Sequence, residues 1–216
     1  MPTVGHVRKV PWWGYLSSAA APALLIGGWS VASDLQSRPF DAIAKSVSTL
    51  AADGATDRWV MTYALALVGV CDIVTALALR PAARPGRILL AVGGICGIVV
   101  AASPQPIIGG ASVSHIGAAT VGCLAMAIWP VAARRSRSPA FGLRPEVTVW
   151  VTAILLTVAA WFLVELLTTG AQIGLAERIL LGAETIWPLI VVLTVGAVRR
   201  MPAGVPARED VRIGRY

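Results

Sequence analysis

Long apolar stretches alternate with short polar segments along the whole chain. A transmembrane helix needs about 20 mostly apolar residues to cross roughly 30 Å of hydrocarbon. Six stretches reach or approach that length, and they cover residues 12–33, 59–79, 88–103, 113–133, 147–168 and 178–198. None of them alternates apolar and polar residues as a membrane-barrel strand does. The pattern therefore predicts an all-α membrane protein with six transmembrane helices.

The longest polar segment between predicted helices is the first loop, residues 34–58. Apolar residues recur in it at helical spacing, at Ile43, Val47 and Leu50. Asp41 can cap the start of such a helix, and Gly54 can end it. We therefore expect a short amphipathic helix in the first outer loop, lying over the mouth of the bundle. An ordinary interfacial helix that only seals the loop ends is the alternative.

The third predicted helix is short, because its 16 residues, 88–103, would rise only about 24 Å at roughly 1.5 Å per residue. Pro104 and Pro106 then prevent its simple continuation. Either this helix ends below the membrane surface or the loop that follows it dips into the bundle. Irregular backbone at such a depth must be enclosed by protein or line a watered cavity. We therefore expect an outward-facing polar cavity.

Composition agrees with a membrane protein. Hydrophobic residues make up 56% of the 216 residues and charged residues only 13%, whereas soluble domains are about 25% charged. Three cysteines are too few to hold together a secreted disulfide scaffold of this length. The apolar content also excludes a disordered chain. A multi-pass helical membrane protein is the class that remains.

The distribution of basic residues orients the predicted bundle. Of the 18 Lys and Arg residues, 14 lie before the first predicted helix or after the second, fourth and sixth. The positive-inside rule therefore places both termini in the cytoplasm. The chain then divides into a cytoplasmic tail over residues 1–11, a six-helix domain over 12–198 and a basic cytoplasmic tail over 199–216. The first apolar stretch exceeds the roughly 7–15 residues of a signal-peptide core, so we expect it to be retained.

The expected partners are membrane lipids and not nucleic acid. The arginines are spread over short juxtamembrane segments, where they contact anionic headgroups, whereas a nucleic-acid-binding protein gathers them on one face. Their dominance over lysine, with abundant Ala, Val and Gly, indicates a GC-rich bacterial genome and an inner-membrane location. Small-residue stripes allow close helix packing or a homo-oligomer. They are Gly93, Gly97 and Ala101 on the third helix, and Gly117, Val121 and Ala125 on the fourth.

Most ionisable residues near the predicted helices lie towards the outer side. The candidate polar cavity consists of His115, Glu165, Glu184, Arg178, Asp53 and Arg58. An imidazole and two carboxylates, from His115, Glu165 and Glu184, are suitable metal ligands. They would come from three helices with no supporting sequence spacing, so no metal or other cofactor is expected. The alternative is that Glu165 lies at the headgroups, His115 caps a helix and Glu184 pairs with Arg178 or Arg58.

Asp72 lies apart from these residues, nearer the cytoplasmic side of the second helix. Carboxyl groups within a membrane are costly and are usually functional or paired. Asp72 is therefore a candidate proton site. The alternatives are a hydrogen bond to Thr75 or contact with Arg80 or Arg87, whose long side chains can reach back along the helices.

Three short sequence motifs resemble a known family. They are Ser-Val-Ser-Thr-Leu at 46–50 followed by Gly54 and Arg58-Trp59, Ala-Ala-Ser-Pro at 101–104, and Ser-His-Ile-Gly-Ala-Ala at 114–119. Together they resemble the bacterial integral-membrane family catalogued as domain of unknown function 998, over residues 11–198. The resemblance implies a six-helix membrane protein without assigned catalytic residues. It gives weight to Ser46, Ser48 and Gly54 as an outer-loop motif.

No familiar catalytic motif occurs in the sequence, neither an H-E-x-x-H zinc helix nor a G-x-S-x-G elbow nor a P-loop. We therefore favour a non-enzymatic role, in which an outward-facing polar cavity binds a lipid or small molecule or serves the cell envelope. A second hypothesis is a small proton-coupled transporter that uses Glu184 and Asp72. A third is an intramembrane metal-dependent enzyme that uses His115, Glu165 and Glu184.

Overall fold

The computed structural model describes residues 9–106, 112–136, 138 and 140–198. In these residues the chain forms six long helices and no strand. The helices are α1 (Trp12–Asp34), α2 (Trp59–Ala78), α3 (Arg84–Ala102), α4 (Val113–Ala133), α5 (Pro145–Leu167) and α6 (Ile173–Ala197). Each is long and apolar enough to span a membrane, so the predicted six-helix fold is confirmed. Most of the predicted tails, at 1–8 and 199–216, and residues 107–111 of the loop after α3 lie outside the described residues.

The six helices form a closed ring in chain order. Each helix packs against the next one, and α6 returns to pack against α1. Because α6 also contacts α2 and α4, it lies closest to the centre of the ring. Half of its most apolar window is buried, against 11% of that of α5, which lies at the edge. Side chains on the inward face of α6 are therefore well placed to form an interior site.

Two helices begin at least one full turn earlier than the apolar pattern predicts. The start of α3 is Arg84 and not Ile88, so this helix has 19 residues and is not short. Its charged first turn is stabilised because the Arg87 side chain donates to a main-chain carbonyl at the end of α2 at 2.7 Å. The start of α6 is Ile173, which brings Glu177 into the second turn of that helix. Apolar periodicity misses both turns because charged residues interrupt it.

The first loop does not contain the continuous amphipathic helix that its spacing predicts. The Asp41 carboxylate accepts two N–H groups of the following turn, both at 3.0 Å, and such side-chain acceptors compete with helix formation. The next segment is a 3-10 helix of five residues, Val47–Ala51. Val47 and Leu50 are buried as the apolar face requires, but Ile43 is exposed. We call the end of the bundle that holds this loop its outer end.

Glycines determine how closely α2, α3 and α4 approach. A Cβ added at Gly94 on α3 would collide with the Gly69 carbonyl oxygen on α2. One added at Gly93 would collide with the Met126 side chain on α4. The small-residue face of α3 is therefore used inside the bundle, as close helix packing requires. Gly117 on α4 has open space beside it, and an oligomeric contact there stays a prediction.

Two apolar clusters fill the bundle, one towards each end. Along α2 the outer cluster ends at Cys71 and the inner cluster begins at Ala76. Along α6 the change falls between Leu181 and Trp187. The bundle thus has a middle layer, between the two apolar clusters, in which polar side chains can meet.

Candidate functional site

Four segments bring polar groups together at the outer end of the bundle. They are Ser48 in the first loop, Ser103 after α3, His115 in the first turn of α4 and Glu177 in α6. His115 and Glu177 are both buried. The Ser112 hydroxyl accepts the His115 N–H at 3.3 Å and so caps the helix on which the imidazole stands. We call Ser48, Ser103, His115 and Glu177 the outer polar cluster.

Polar contacts of 2.6–3.4 Å connect the outer polar cluster in a row. The His115 Nδ1 lies 2.8 Å from the Ser103 carbonyl oxygen, and its Nε2 lies 3.1 Å from the Ser48 hydroxyl oxygen. That hydroxyl lies 3.4 Å from the Glu177 Oε1. The Glu177 Oε2 accepts the Val47 N–H at 2.6 Å. The row therefore ties the first loop to α4, α6 and the end of α3.

Next to the outer polar cluster, Arg178 forms hydrogen bonds that hold the first loop in place. Its NH1 donates to the carbonyl oxygens of Ala42 at 2.7 Å and Lys45 at 3.0 Å. The guanidinium group lies 5.8 Å from the ring centroid of Trp29 and 5.7 Å from that of Phe40. These distances are within the range of cation–π attraction. Arg178 thus positions the main chain of the loop over the outer end of α1 and α6.

Asp41 closes the turn that leads into the 3-10 helix. The N–H groups of Ala44 and Ile43, each at 3.0 Å, hold the pKa of the Asp41 carboxyl below its ordinary value. They do so because a hydrogen bond to the carboxylate favours its charged form. The nearby Lys45 lowers the pKa of Asp41 further by charge attraction. The turn is therefore closed around an ionised carboxylate.

Two further carboxyl groups lie in the middle layer of the bundle. Asp72 on α2 is 4% exposed and Glu184 on α6 is 2% exposed, and the two are within electrostatic range of each other. Gly94 makes room for this arrangement, since a Cβ there would lie 3.1 Å from the Asp72 Cβ. Among the described residues, neither the Asp72 Oδ1 nor the Glu184 Oε1 has a hydrogen-bond partner. We call Asp72 and Glu184 the buried acid pair.

Polar side chains flank the buried acid pair on both sides. Cys123 on α4 is within electrostatic range of Glu184 and also of Glu177 in the outer polar cluster. Thr75, the residue predicted to bond with Asp72, shares a hydrogen bond of 2.8 Å with Ser17 on α1. A discontinuous line of polar groups therefore leads from the outer end through the middle layer towards the inner end.

Glu165 lies apart from His115 and Glu184, contrary to the hypothesis of a shared metal site. At the outer end of α5 its carboxylate accepts the Trp161 indole N–H at 3.3 Å and the Gln172 N–H at 2.9 Å, and so closes the turn to α6. In the described part of the chain, no three His, Cys, Asp or Glu side chains are grouped closely enough to hold a metal ion. The predicted ligands of an intramembrane metal-dependent enzyme therefore do not converge.

The predicted arginine partners of Glu184 are engaged elsewhere. Arg58 forms an ion pair with Asp53 at 3.3 Å, and its guanidinium group lies 4.2 Å from the Trp59 ring centroid. Arg178 bonds to carbonyl oxygens of the first loop. Asp53, Arg58 and Arg178 therefore belong to the loop and its rim, whereas Glu184 lies deeper in the bundle.

The motif residues of the first loop have separate structural roles. The Ser46 hydroxyl oxygen accepts the Ser48 N–H at 3.1 Å and caps the 3-10 helix. Gly54 adopts a φ of 83°, a left-handed conformation that glycine reaches without a side-chain clash. Just before it, the Asp53 N–H donates to the Gln105 carbonyl oxygen at 2.9 Å. These contacts fix the loop against the segment that follows α3.

Two members of the outer polar cluster are not marked by the sequence pattern. Glu177 falls outside the predicted sixth helix, and Ser103 contributes only its main-chain carbonyl. A usable signal is that Glu177 and Glu184 are seven residues apart, which places them on one helix face. A second signal is that each of the three family-like motifs supplies one member of the cluster, namely Ser48, Ser103 or His115.

A cavity of about 390 Å³ lies at the outer end of α1. It is lined by Ser33, Asp34, Gln36, Ser37, Arg38, Pro39 and Phe40. None of the residues predicted to line an outward-facing polar cavity contributes to it. His115 and Glu177 of the outer polar cluster are instead buried beneath the first loop, to which Ser48 belongs.

The family described as protein of unknown function (DUF998) matches residues 18–194 of the chain. That range includes the outer polar cluster, the buried acid pair and parts or all of the six helices. No curated protein and no solved structure matches the chain. The match covers well over half of the sequence and agrees with the resemblance of the motifs in the first loop, α3 and α4. The chain is therefore a multi-pass helical membrane protein that belongs to the DUF998 family.

Proposed function

We propose that this protein is a proton-coupled transporter in which the buried acid pair binds the proton. The observation that carries the proposal is the position of Asp72 and Glu184. They come from different helices of a membrane bundle, are within electrostatic range of each other, and each have one carboxyl oxygen without a hydrogen-bond partner among the described residues. Ionisable groups placed in this way typically mark proton or ion pathways.

The physical cost of charge at this depth supports the proposal. Transfer of a carboxylate from water to a protein interior costs several kcal/mol even after relaxation. Two carboxylates within electrostatic range add mutual repulsion. A proton bound by Asp72 or Glu184 removes the repulsion and one of the two burial costs. Release of that proton then requires contact with water or with a bound solute, which is the property that couples proton movement to transport.

The gaps in the polar line favour a carrier over an open channel. Cys123 lies on the outer side of the buried acid pair, and Thr75 with Ser17 lies on the inner side. No continuous chain of hydrogen bonds joins these groups among the described residues. In the proposed carrier a proton crosses when the helices move, and α6 is the helix that contacts elements on several sides.

Proton flux into sealed vesicles tests the proposal with the proton itself as the probe. The purified protein is reconstituted around a pH-sensitive dye, valinomycin with potassium holds the voltage at zero, and the outside is acidified. We expect wild-type vesicles to acidify faster than protein-free vesicles. We expect Glu184→Gln and Asp72→Asn each to abolish the difference, because an amide cannot take up and release the proton.

Glu146→Gln is the matched control for these variants. Glu146 is exposed in the first turn of α5, so its substitution removes one acid without touching the bundle interior. Its vesicles should acidify as fast as wild type. Gel filtration and circular dichroism establish that each variant is folded. Equal acidification rates for wild type and Glu184→Gln would contradict the proposal.

A further inference from the structure

We propose that the outer polar cluster is a binding site for one exchangeable proton, which His115 and Glu177 share through Ser48, and that this proton holds the first loop on the bundle. The site uses neither member of the buried acid pair. Whether this site binds a proton is therefore independent of whether the protein transports protons across the membrane.

Without an extra proton, the row has one hydrogen too few to form a hydrogen bond at every contact. The Ser103 carbonyl oxygen can only accept, so the His115 Nδ1 at 2.8 Å carries a hydrogen. Two contacts remain, from Nε2 to the Ser48 hydroxyl at 3.1 Å and from that hydroxyl to the Glu177 carboxyl at 3.4 Å. Ser48 has one hydroxyl hydrogen, which points to only one neighbour at a time. Both contacts become hydrogen bonds only when one extra proton is present.

The extra proton can occupy two positions, and in each of them both contacts are hydrogen bonds. In the first, the imidazolium of His115 donates from Nε2 to Ser48, and the Ser48 hydroxyl donates to the Glu177 carboxylate. In the second, the Glu177 carboxylic acid donates to Ser48, and the Ser48 hydroxyl donates to the neutral imidazole. One proton moves across each contact between the two states, and no other bond changes. The Val47 N–H, which donates to the Glu177 Oε2 at 2.6 Å, favours the carboxylate and thus the first position, whereas the burial of Glu177 favours the acid and thus the second.

Loss of the proton leaves one of the two contacts between a pair of acceptors. A buried acceptor without a donor is unfavourable, so the docked loop binds the proton more tightly than the undocked loop does. Proton binding and loop docking are therefore linked. Docking is strongest when the proton is bound at low pH, and it weakens as the pH rises and the proton leaves.

The other ionisable groups around the cluster do not belong to the row of contacts. Those on the surrounding elements are Asp41, Lys45, Asp53 and Arg58 of the first loop, Cys123 of α4, and Arg178 and Glu184 of α6. Arg178 interacts electrostatically with Glu177 while it bonds to the loop carbonyls, and its guanidinium group keeps its charge at every accessible pH. Among the described side chains, only His115 and Glu177 exchange a hydrogen with Ser48.

Backbone hydrogen exchange of residues 46–52, measured across pH on the full chain in nanodiscs, tests the site. After correction for intrinsic exchange, we expect wild-type protection to fall as the pH rises. Glu177→Gln should remove this pH dependence, since its amide N–H faces Ser48 while its oxygen still accepts the Val47 N–H. Ser48→Ala should reduce protection at every pH. Ser114→Ala, an exposed hydroxyl beside His115, should behave as wild type.

Nitrogen NMR of labelled histidine in the wild-type chain provides a second test that needs no folded variant. We expect the His115 Nδ1 to keep its hydrogen at every pH of the measurement, because the Ser103 carbonyl requires it. Only one other histidine, His6, must be distinguished. Wild-type loop protection that is independent of pH would overturn the proposal. A His115 that loses its Nδ1 hydrogen at high pH would overturn it as well.

Discussion

Because glycine has no side chain, Gly94 leaves the space that Asp72 needs in the middle layer of the bundle. The Cβ of any larger residue would meet the Gly69 carbonyl oxygen, and it would also press on the Asp72 side chain. Because main-chain atoms cannot rotate away, the approach of α2 to α3 depends on glycine at both positions. The position of Asp72 in the middle layer therefore depends on a neighbour that carries no chemistry itself.

Gly94→Ala is expected to destabilise the bundle by about 1–3 kcal/mol, the usual cost of overpacking an interior. Equilibrium unfolding of the purified protein in detergent measures the change. Gly117→Ala is the matched control, because nothing lies within 4 Å of an added Cβ there. In a helix this exchange stabilises by roughly 0.5–1 kcal/mol. If the two variants were equally stable, α2 and α3 would not approach at Gly94 as described.

Among the elements, α6 illustrates how far the sequence predicts fold and site. Apolar length located all six helices, because crossing hydrocarbon requires long apolar runs. The same pattern places Glu177 outside the sixth helix. Hydropathy does not distinguish a charged residue that ends a helix from one within a helix that bonds to a folded loop. It marked Asp72 and Glu184 singly as acids within helices. It gives no sign that they are within electrostatic range of each other.

The first loop illustrates the complementary limit. Helical spacing identified Val47 and Leu50 as buried, but the hydrogen bonds that replace helix formation come from distant residues. Ser48 and His115, for example, are 67 positions apart. Such contacts depend on how the helices are arranged around the ring, and local periodicity contains no information about that arrangement. The three family-like motifs contain part of the information about this arrangement, because each supplies one member of the outer polar cluster.

The turn at the start of this loop should open under acidic conditions. The pKa of Asp41 is depressed below its ordinary value of 3.8 by the N–H groups of Ala44 and Ile43. A depressed pKa gives stabilisation that is complete above the unfolded value and is lost as the pH falls through the folded value. After correction for intrinsic exchange, we expect the protection of the Ala44 N–H to fall at pH values below 3.8, opposite in sign to the change at the outer polar cluster.

Asp41→Asn should remove this acid dependence, because the amide oxygen still accepts a hydrogen bond but does not titrate. Asp57→Asn, at an exposed position in the same loop, should leave it intact. Exchange measured by mass spectrometry over the acidic range reports both variants. Parallel loss of protection in wild type and Asp41→Asn would show that another group controls the turn.

On the scale of the whole molecule, one helix carries acids of both polar groups. Glu177 lies in the outer polar cluster under the first loop, and Glu184 lies two turns further along α6 in the middle layer. A shift of α6 along its axis would therefore change both environments together. This arrangement suits a carrier in which closure of the outer loop and proton binding in the interior respond to the same movement.

Cysteine labelling tests the predicted orientation of the whole bundle. In a chain whose Cys71, Cys96 and Cys123 are replaced by serine, Ala44→Cys places a thiol in the exposed first loop, and Ser136→Cys places one between α4 and α5. We expect a membrane-impermeant maleimide to label the first in intact cells and the second only after permeabilisation. The reverse pattern would place both termini outside the cytoplasm.

The most direct test of proton binding within the bundle is infrared difference spectroscopy of the reconstituted protein between acidic and alkaline pH. Protonated carboxyl groups in an apolar environment give a separate carbonyl band. We expect wild type to lose such a band at alkaline pH, Glu184→Gln and Asp72→Asn each to reduce it, and Glu146→Gln to leave it unchanged. A band of equal size in wild type, Glu184→Gln and Asp72→Asn would contradict the assignment of the proton to the buried acid pair.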